Sequence, residues 1–275
     1  MNSAFIKIIK LTSLQGLLLS VLTACGSDIV SSDDVSTTDA HANIHVTAGN
    51  TGNAYINIEL RPGGPASTTS IELSSRDQLW ASNDKPFSRA VDTGNLFSEL
   101  NSMANNSIKL YQGGVFNYGF LGFRIYGDIW YSGLIPTSDD DTYYVSLLRD
   151  SFQSALGSRV SLPNKFSVTA PLSNESHSRS NDLIINWQSD QANLPVSISV
   201  FTTCLNDVYD TFDIENLIDS GSYTLVTTDF TPDAVGTCNT NIEVVKSQLG
   251  QLDPLFNSGI ITGNRVAKTI FISTD

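Results

Sequence analysis

The sequence predicts an all-β protein, two β-sandwich modules in tandem with a short helical insertion in the first. Three observations carry this. Short runs alternate apolar and polar residues, as in Ala54-Tyr55-Ile56-Asn57-Ile58-Glu59-Leu60, which puts Ile56, Ile58 and Leu60 on one face. Gly, Pro, Asn and Ser clusters such as Arg61-Pro62-Gly63-Gly64-Pro65 separate the runs and make turns. Pro163, Pro171 and the polar run Ser173 to Asn181 then divide the chain into two lengths, each sufficient for a sandwich.

The first 25 residues are an address. Lys7 and Lys10 precede an apolar run, Leu11 to Leu22, that ends in Leu22-Thr23-Ala24-Cys25. A basic start, a short apolar stretch and small residues before a cut make a secretory signal. Only 14 residues separate Lys10 from Cys25, whereas a spanning helix needs about 20. Residues 26–43 are rich in Ser, Thr and Asp and hold no aromatic residue, which predicts a flexible tether over 25–43. Its root-mean-square span would be about 25 Å.

Module one is expected over 44–165. After the strand at 54–60 come Thr69 to Leu73 and Gln78 to Ala81. Asn95 can cap a helix over Leu96 to Met103, where Leu96, Phe97, Leu100 and Met103 share a face. Thr142 to Leu148 is a further strand. Module two is expected over 166–275, with strands at Asp182 to Trp187, Val196 to Phe201, Asn241 to Lys246 and Val266 to Ser273.

Several of these residues carry resemblances. Leu22-Thr23-Ala24-Cys25 resembles the lipobox of bacterial lipoproteins. That resemblance implies cleavage before Cys25, diacylglyceryl transfer to its thiol and acylation of its new amine. The membrane would then be a partner through the lipid. Gly26 stands where an Asp resembles an inner-membrane retention signal, so the resemblance implies an outer-membrane destination. The apolar strand ending at Trp187 resembles the B strand of fibronectin type III and related immunoglobulin-like modules. Asp219-Ser220-Gly221-Ser222-Tyr223 resembles their corner, in which the Tyr hydroxyl bonds back to nearby backbone. Roughly residues 160–275 also resemble bacterial envelope lipoproteins of unassigned role, through Leu162-Pro163-Asn164-Lys165-Phe166, Trp187 and Leu252-Asp253-Pro254-Leu255-Phe256.

Charge excludes some functions. The chain has 15 Lys+Arg against 28 Asp+Glu, a formal net charge of −13. Removal of residues 1–24 with their two Lys leaves 13 − 28 = −15. Such a field repels nucleic acid. With Cys25 lipidated, Cys204 and Cys238 read as a disulfide, the usual state of two Cys in an exported domain.

Chemistry is sparse. The chain has three His, and no Gly-x-Ser-x-Gly elbow accompanies them. His41 and His45 fall at the end of the expected tether, and His177 falls in a polar loop. Asp139-Asp140-Asp141 is the densest acidic run and offers oxygen ligands for Ca²⁺, but without EF-hand spacing. No cofactor is implied.

Residues 111–131 stand out, because eight of 21 are aromatic, among them Tyr111, Phe116, Tyr118, Trp130 and Tyr131. As a strand the segment is apolar on both faces, whereas a half-exposed sandwich strand shows one apolar face. Either the helix at 96–103 covers the second face, or the rings form a platform for a glycan or a protein of the envelope. Core is the expectation for most of them, with Trp130 and Tyr131 the exceptions because Ser132-Gly133 suggests a strand end. Three functions follow as expectations: a non-enzymatic lipid-anchored envelope protein with a binding or structural role, a glycan-binding module using this platform, or a secreted hydrolase with a carboxylate pair.

Overall fold

The computed structural model describes residues 28–86, 107–113, 118–120, 123–125, 128–137, 140–190, 193–204, 209–229 and 236–275. The expected helix at 96–103 lies outside them. The described residues are all-β, with three single 3-10 turns and no α-helix. The strands of the first half are β1 (Ile29–Ser31), β2 (Ala40–Ala48), β3 (Asn53–Pro62), β4 (Ser70–Glu72), β5 (Gln78–Ser82), β6 (Ser107–Lys109), β7 (Tyr111–Gly113), β8 (Tyr118–Phe120), β9 (Phe123–Ile125), β10 (Trp130–Pro136), β11 (Thr142–Leu148) and β12 (Ala155–Ser161). Those of the second are β13 (Val168–Ala170), β14 (Ser176–Ser178), β15 (Leu183–Trp187), β16 (Pro195–Cys204), β17 (Tyr209–Ile218), β18 (Ser222–Leu225), β19 (Cys238–Leu249) and β20 (Ser258–Thr274).

One sheet runs through both halves, in the order β17-β16-β19-β20-β2-β3-β10-β7, with β14 also on β20. Strand β20 is 17 residues long, far beyond the expected 266–273. Its first half pairs in parallel with β2, its last residues pair with β14, and its other edge pairs with β19. Side chains alternate across a strand, so Ile261, Arg265, Ala267, Thr269, Phe271 and Ser273 all point inward and are buried.

Two cores lie against this one wall. In the first, Ile44, Val46, Ile56, Ile58, Tyr131 and Ile261 cluster with Leu79, Tyr143, Val145, Leu147 and Val160 of the four-stranded sheet β12-β11-β5-β6. In the second, Val196, Ile198, Val200, Ile242, Val244 and Phe271 cluster with Leu183, Ile185 and Trp187 of the sheet β13-β15-β18. The expected division at 165/166 falls between Leu162 of the first core and Phe166 of the second, but the sheet runs across it. Phe256 and Ile261 belong to the first core although they come from the last twenty residues. A boundary in the chain is not one in the sheet.

The tether needs correction over its described part, 28–43. Strand β1 pairs with β4, and β2 begins at Ala40. Composition hid this, because the anchors are polar. Buried Arg149 ion-pairs with buried Asp77 at 2.7 Å and donates to the carbonyls of Ser32 at 2.5 Å and Val35 at 2.9 Å. The Ser32 hydroxyl donates to Asp77 at 2.7 Å, and the Thr37 hydroxyl donates to the Gln153 carbonyl at 2.6 Å. These bonds replace water on a segment too polar to be held by apolar burial alone.

Cys204 and Cys238 form a disulfide between directly opposed residues of β16 and β19. Their Cα atoms are 4.2 Å apart, close to the spacing of a non-hydrogen-bonded antiparallel pair. A link across 34 residues contributes about 4 kcal/mol in the chain-entropy account.

Gly259 sits where β2 meets β20, with φ +130°, and a Cβ there would collide with the Ala42 carbonyl. Gly259→Ala should therefore destabilise the protein by at least about 1–3 kcal/mol. Urea unfolding checks this, and an unchanged midpoint would contradict the junction described.

Candidate functional site

The inner face of the long sheet is consumed by the two cores, so the outer face is where a partner can be met. On β2 it presents Asn43, His45 and Thr47, alternating with buried Ala42, Ile44 and Val46; His41 shares this face but is buried. Registration lines these up with Asn57 and Tyr55 of β3, with Ser132 and Leu134 of β10, and with Thr262 and Asn264 of β20. One cross-strand row reads Tyr111, Ser132, Asn57, His45, Thr262 and Leu249.

The centre of the face is uncharged and hydrogen-bonding. His45 Nδ1 lies 2.7 Å from the Thr262 hydroxyl, and His41 Nδ1 lies 2.8 Å from the Ser258 hydroxyl. The Asn264 amide donates to the Thr47 hydroxyl at 3.3 Å and its carbonyl accepts from Ser247 at 2.9 Å. The edge is apolar: Tyr111 is 70% exposed, Leu134 59% and Tyr55 40%. A Glu59–Arg61 ion pair at 3.2 Å stands at the margin.

The predicted aromatic platform is only partly brought together. Tyr111 is exposed, as a platform requires. Trp130 is half-buried on the same face, its indole across Gly113, where a Cβ would lie 2.7 Å from Nε1. Tyr131 is a correction: it is core, at 2% exposure. It points to the other face of β10, and its hydroxyl donates to the Ile71 carbonyl at 3.0 Å and accepts from the Leu73 N–H at 2.8 Å. The suggested strand end after it is not one, since β10 runs on to Pro136 through Gly133. Tyr118 lies in β8, paired with β9, and Phe116 lies outside the described residues. Tyr55 and Leu134 join the face unpredicted, because only pairing shows that they meet.

The acidic run at 139–141 is described only in part. Asp141 faces the buried Arg265 guanidinium at 2.5 Å, so its carboxylate is held in an ion pair. Asp140 is exposed, and Asp139 lies outside the described residues. Among the described residues no three His, Cys, Asp or Glu side chains gather as metal ligands.

The buried acids are likewise engaged. Asp77 holds Arg149, and Asp219 meets Lys246. Asp253 accepts from the backbone N–H groups of Gly157 at 2.6 Å and Leu255 at 2.9 Å. Nor is His177 a loop residue: it lies in β14, edge-on to Phe271 at 6.2 Å. The expected corner is closed differently as well. Tyr223 stacks on Phe212 at 6.3 Å, and Asp219 locks the turn by accepting the Trp187 Nε1–H at 2.7 Å.

No protein-family model matches the chain, and no curated protein does. Among solved structures, a two-domain fibronectin type III segment of chicken tenascin is similar over 82% of this chain and 98% of its own, at 11% identity and TM-score 0.20. The calcium-binding domain CBD12 of CALX1.1 is similar over 82% and 99%, at 10% identity and TM-score 0.20. The collagen adhesin of S. aureus is similar over 91% and 99%, at 9% identity and TM-score 0.17. Overlaps of this size carry no conclusion about function.

Burial pushes the Tyr131 hydroxyl up to about 12 from its ordinary 10.0; the Leu73 N–H opposes this and the Glu72 charge adds to it. A folded-state value above the unfolded one favours the neutral phenol. That stability is fully present below pH 10 and is lost as pH rises through 12. Tyr131→Phe should cost about 1–3 kcal/mol at neutral pH, because the Leu73 N–H and the Ile71 carbonyl lose their partner. It should also flatten the alkaline fall in stability, read by urea melts across that range.

Proposed function

We propose that this chain is a lipid-anchored envelope protein that binds rather than catalyses, and that the outer face of its long sheet is the binding surface. The observation that carries this is the pairing of an uncharged, hydrogen-bonding sheet centre with an exposed aromatic edge at Tyr111 and Tyr55. An aromatic ring with a polar tip works at a surface that is half apolar and half wet. Amides, hydroxyls and imidazoles match a partner that itself carries hydroxyls and little charge. A neutral glycan of the envelope is the ligand class that fits, with a protein partner as the rival.

The anchor rests on Leu22-Thr23-Ala24-Cys25, and the outer-membrane destination rests on Gly26. Two acyl chains suffice for stable anchoring, at about 0.8 kcal/mol per buried methylene. Both module-like halves are read as immunoglobulin-like sandwiches that share a wall. The non-enzymatic reading is supported by the structural contacts that engage Asp77, Asp219 and Asp253, the buried acids among the described residues.

Two experiments test the proposal. Cys25→Ser should abolish incorporation of labelled palmitate; continued labelling would refute the anchor. Tyr111→Ala and Tyr55→Ala should leave the melting temperature nearly unchanged, since exposed positions contribute within about 0.5 kcal/mol. Binding to a panel of neutral oligosaccharides should weaken by roughly 2 kcal/mol, as for an aromatic anchor. Equal retention by wild type and both variants would remove this face as the glycan site.

A further inference from the structure

At the seam between the two cores, β19 buries a lysine completely. Lys246 Nζ has three oxygen neighbours of different kinds. It donates to the Gln188 carbonyl at 2.7 Å and to Asp190 Oδ1 at 3.4 Å. Its third neighbour is Asp219 Oδ2 at 2.8 Å, with both side chains 0% exposed. That contact lacks hydrogen-bond geometry, and Asp219 Oδ2 has no other hydrogen-bond partner. The nitrogen is thus held by two donated bonds while its remaining side is pressed against a carboxyl group. The other oxygen, Asp219 Oδ1, accepts the Trp187 Nε1–H at 2.7 Å. The Phe166 ring, 4.6 Å from Nζ, covers the amine.

We propose that Lys246 and Asp219 condense into an intramolecular amide, cross-linking β19 to the corner between β17 and β18. The ammonium gives up one proton to Oδ2, 2.8 Å away, and its lone pair attacks Cγ. The Nζ–Cγ bond forms and the Cγ–Oδ2 bond breaks. A second nitrogen proton leaves with Oδ2, so the by-product is one water and nothing is oxidised or reduced. Trp187 donates its hydrogen bond where negative charge develops on Oδ1, as an oxyanion donor does. Asp190 Oδ1 stands 3.4 Å from Nζ, on the solvent side of the amine. The Asn164 side-chain amide, assisted by Lys246, holds its carboxyl below the ordinary range and so ionised.

Two features favour the amide over the ion pair. An ion pair removed from water carries a desolvation cost that an amide does not. Arg265 also stands directly across the strand pair from Lys246, and like charges in that position repel. Amide formation removes the second cation and leaves Arg265 with Asp141, Gly49 and Pro163.

Peptide mapping of the full, folded, reduced chain tests this whatever its lipid state. Trypsin should fail to cut after Lys246. Because no Lys or Arg lies between Arg179 and Lys246, the product should be one looped peptide of residues 180–265, one water lighter than its linear mass, and further cleavage after Glu215 and Glu243 should open it to a branched peptide joining the segments around Asp219 and Lys246. Asp219→Asn should yield the same branched product by losing ammonia, and Lys246→Arg should yield none. Recovery of linear, unmodified peptides ending at Lys246 and containing Asp219 from folded wild-type protein would overturn the proposal, whether or not the variants fold.

Discussion

The alternation of β20 is the constraint on which both cores rest. From Ile261 to Ser273 every second residue is turned inward, and those residues serve one core at the start of the strand and the other at its end. A slip of one residue would turn Lys268 and Ile270 inward and Phe271 outward. Both cores would fail together, because the error would lie in their common wall. Register is pinned by β19 along one edge and by β2 along the other.

Where the two cores meet, apolar residues give way to charge. Arg265 is fully buried, donates to the Gly49 carbonyl at 2.6 Å and the Pro163 carbonyl at 3.1 Å, and faces Asp141. Lys246 lies next to it across the strands. Each joins segments far apart in the chain, the β2–β3 turn, the connection after β12 and the corner before β18. Buried ion pairs often add little net stability over apolar packing, but removal of one partner is costly. The seam is therefore better suited to fixing how the cores meet than to strengthening either.

Much of the fold was legible because strand periodicity is local. Ile56, Ile58 and Leu60 announce the inner face of β3 without any knowledge of its neighbours, and Thr142 to Leu148 matches β11. What stayed hidden was long-range or polar. Nothing in Ser32, Thr37 or Asp77 distinguishes an anchored segment from a solvated one until Arg149, far along the chain, is seen to hold them. Lys246 falls at the end of one expected strand and Arg265 just outside another, and sequence does not show which phase of a strand meets a core. The candidate face was half visible: Tyr111 and Trp130 were in view, whereas Tyr55, Leu134 and the imidazoles of β2 became neighbours only through pairing.

The folding of residues 28–43 has a consequence for where the molecule stands. On the lipid-anchored reading, the acylated residue is Cys25 and described backbone begins at Asp28. Three residues span at most about 11 Å when fully extended. That is a short leash, less than half the reach expected of a loose linker through residue 43. The body would ride close to the headgroups, with β1 and its partner β4 toward the lipid, and its tilt would be limited. Encounter with anything fixed in the same leaflet would become a search in two dimensions, and targets deeper in the aqueous space would have to come to the surface to be met.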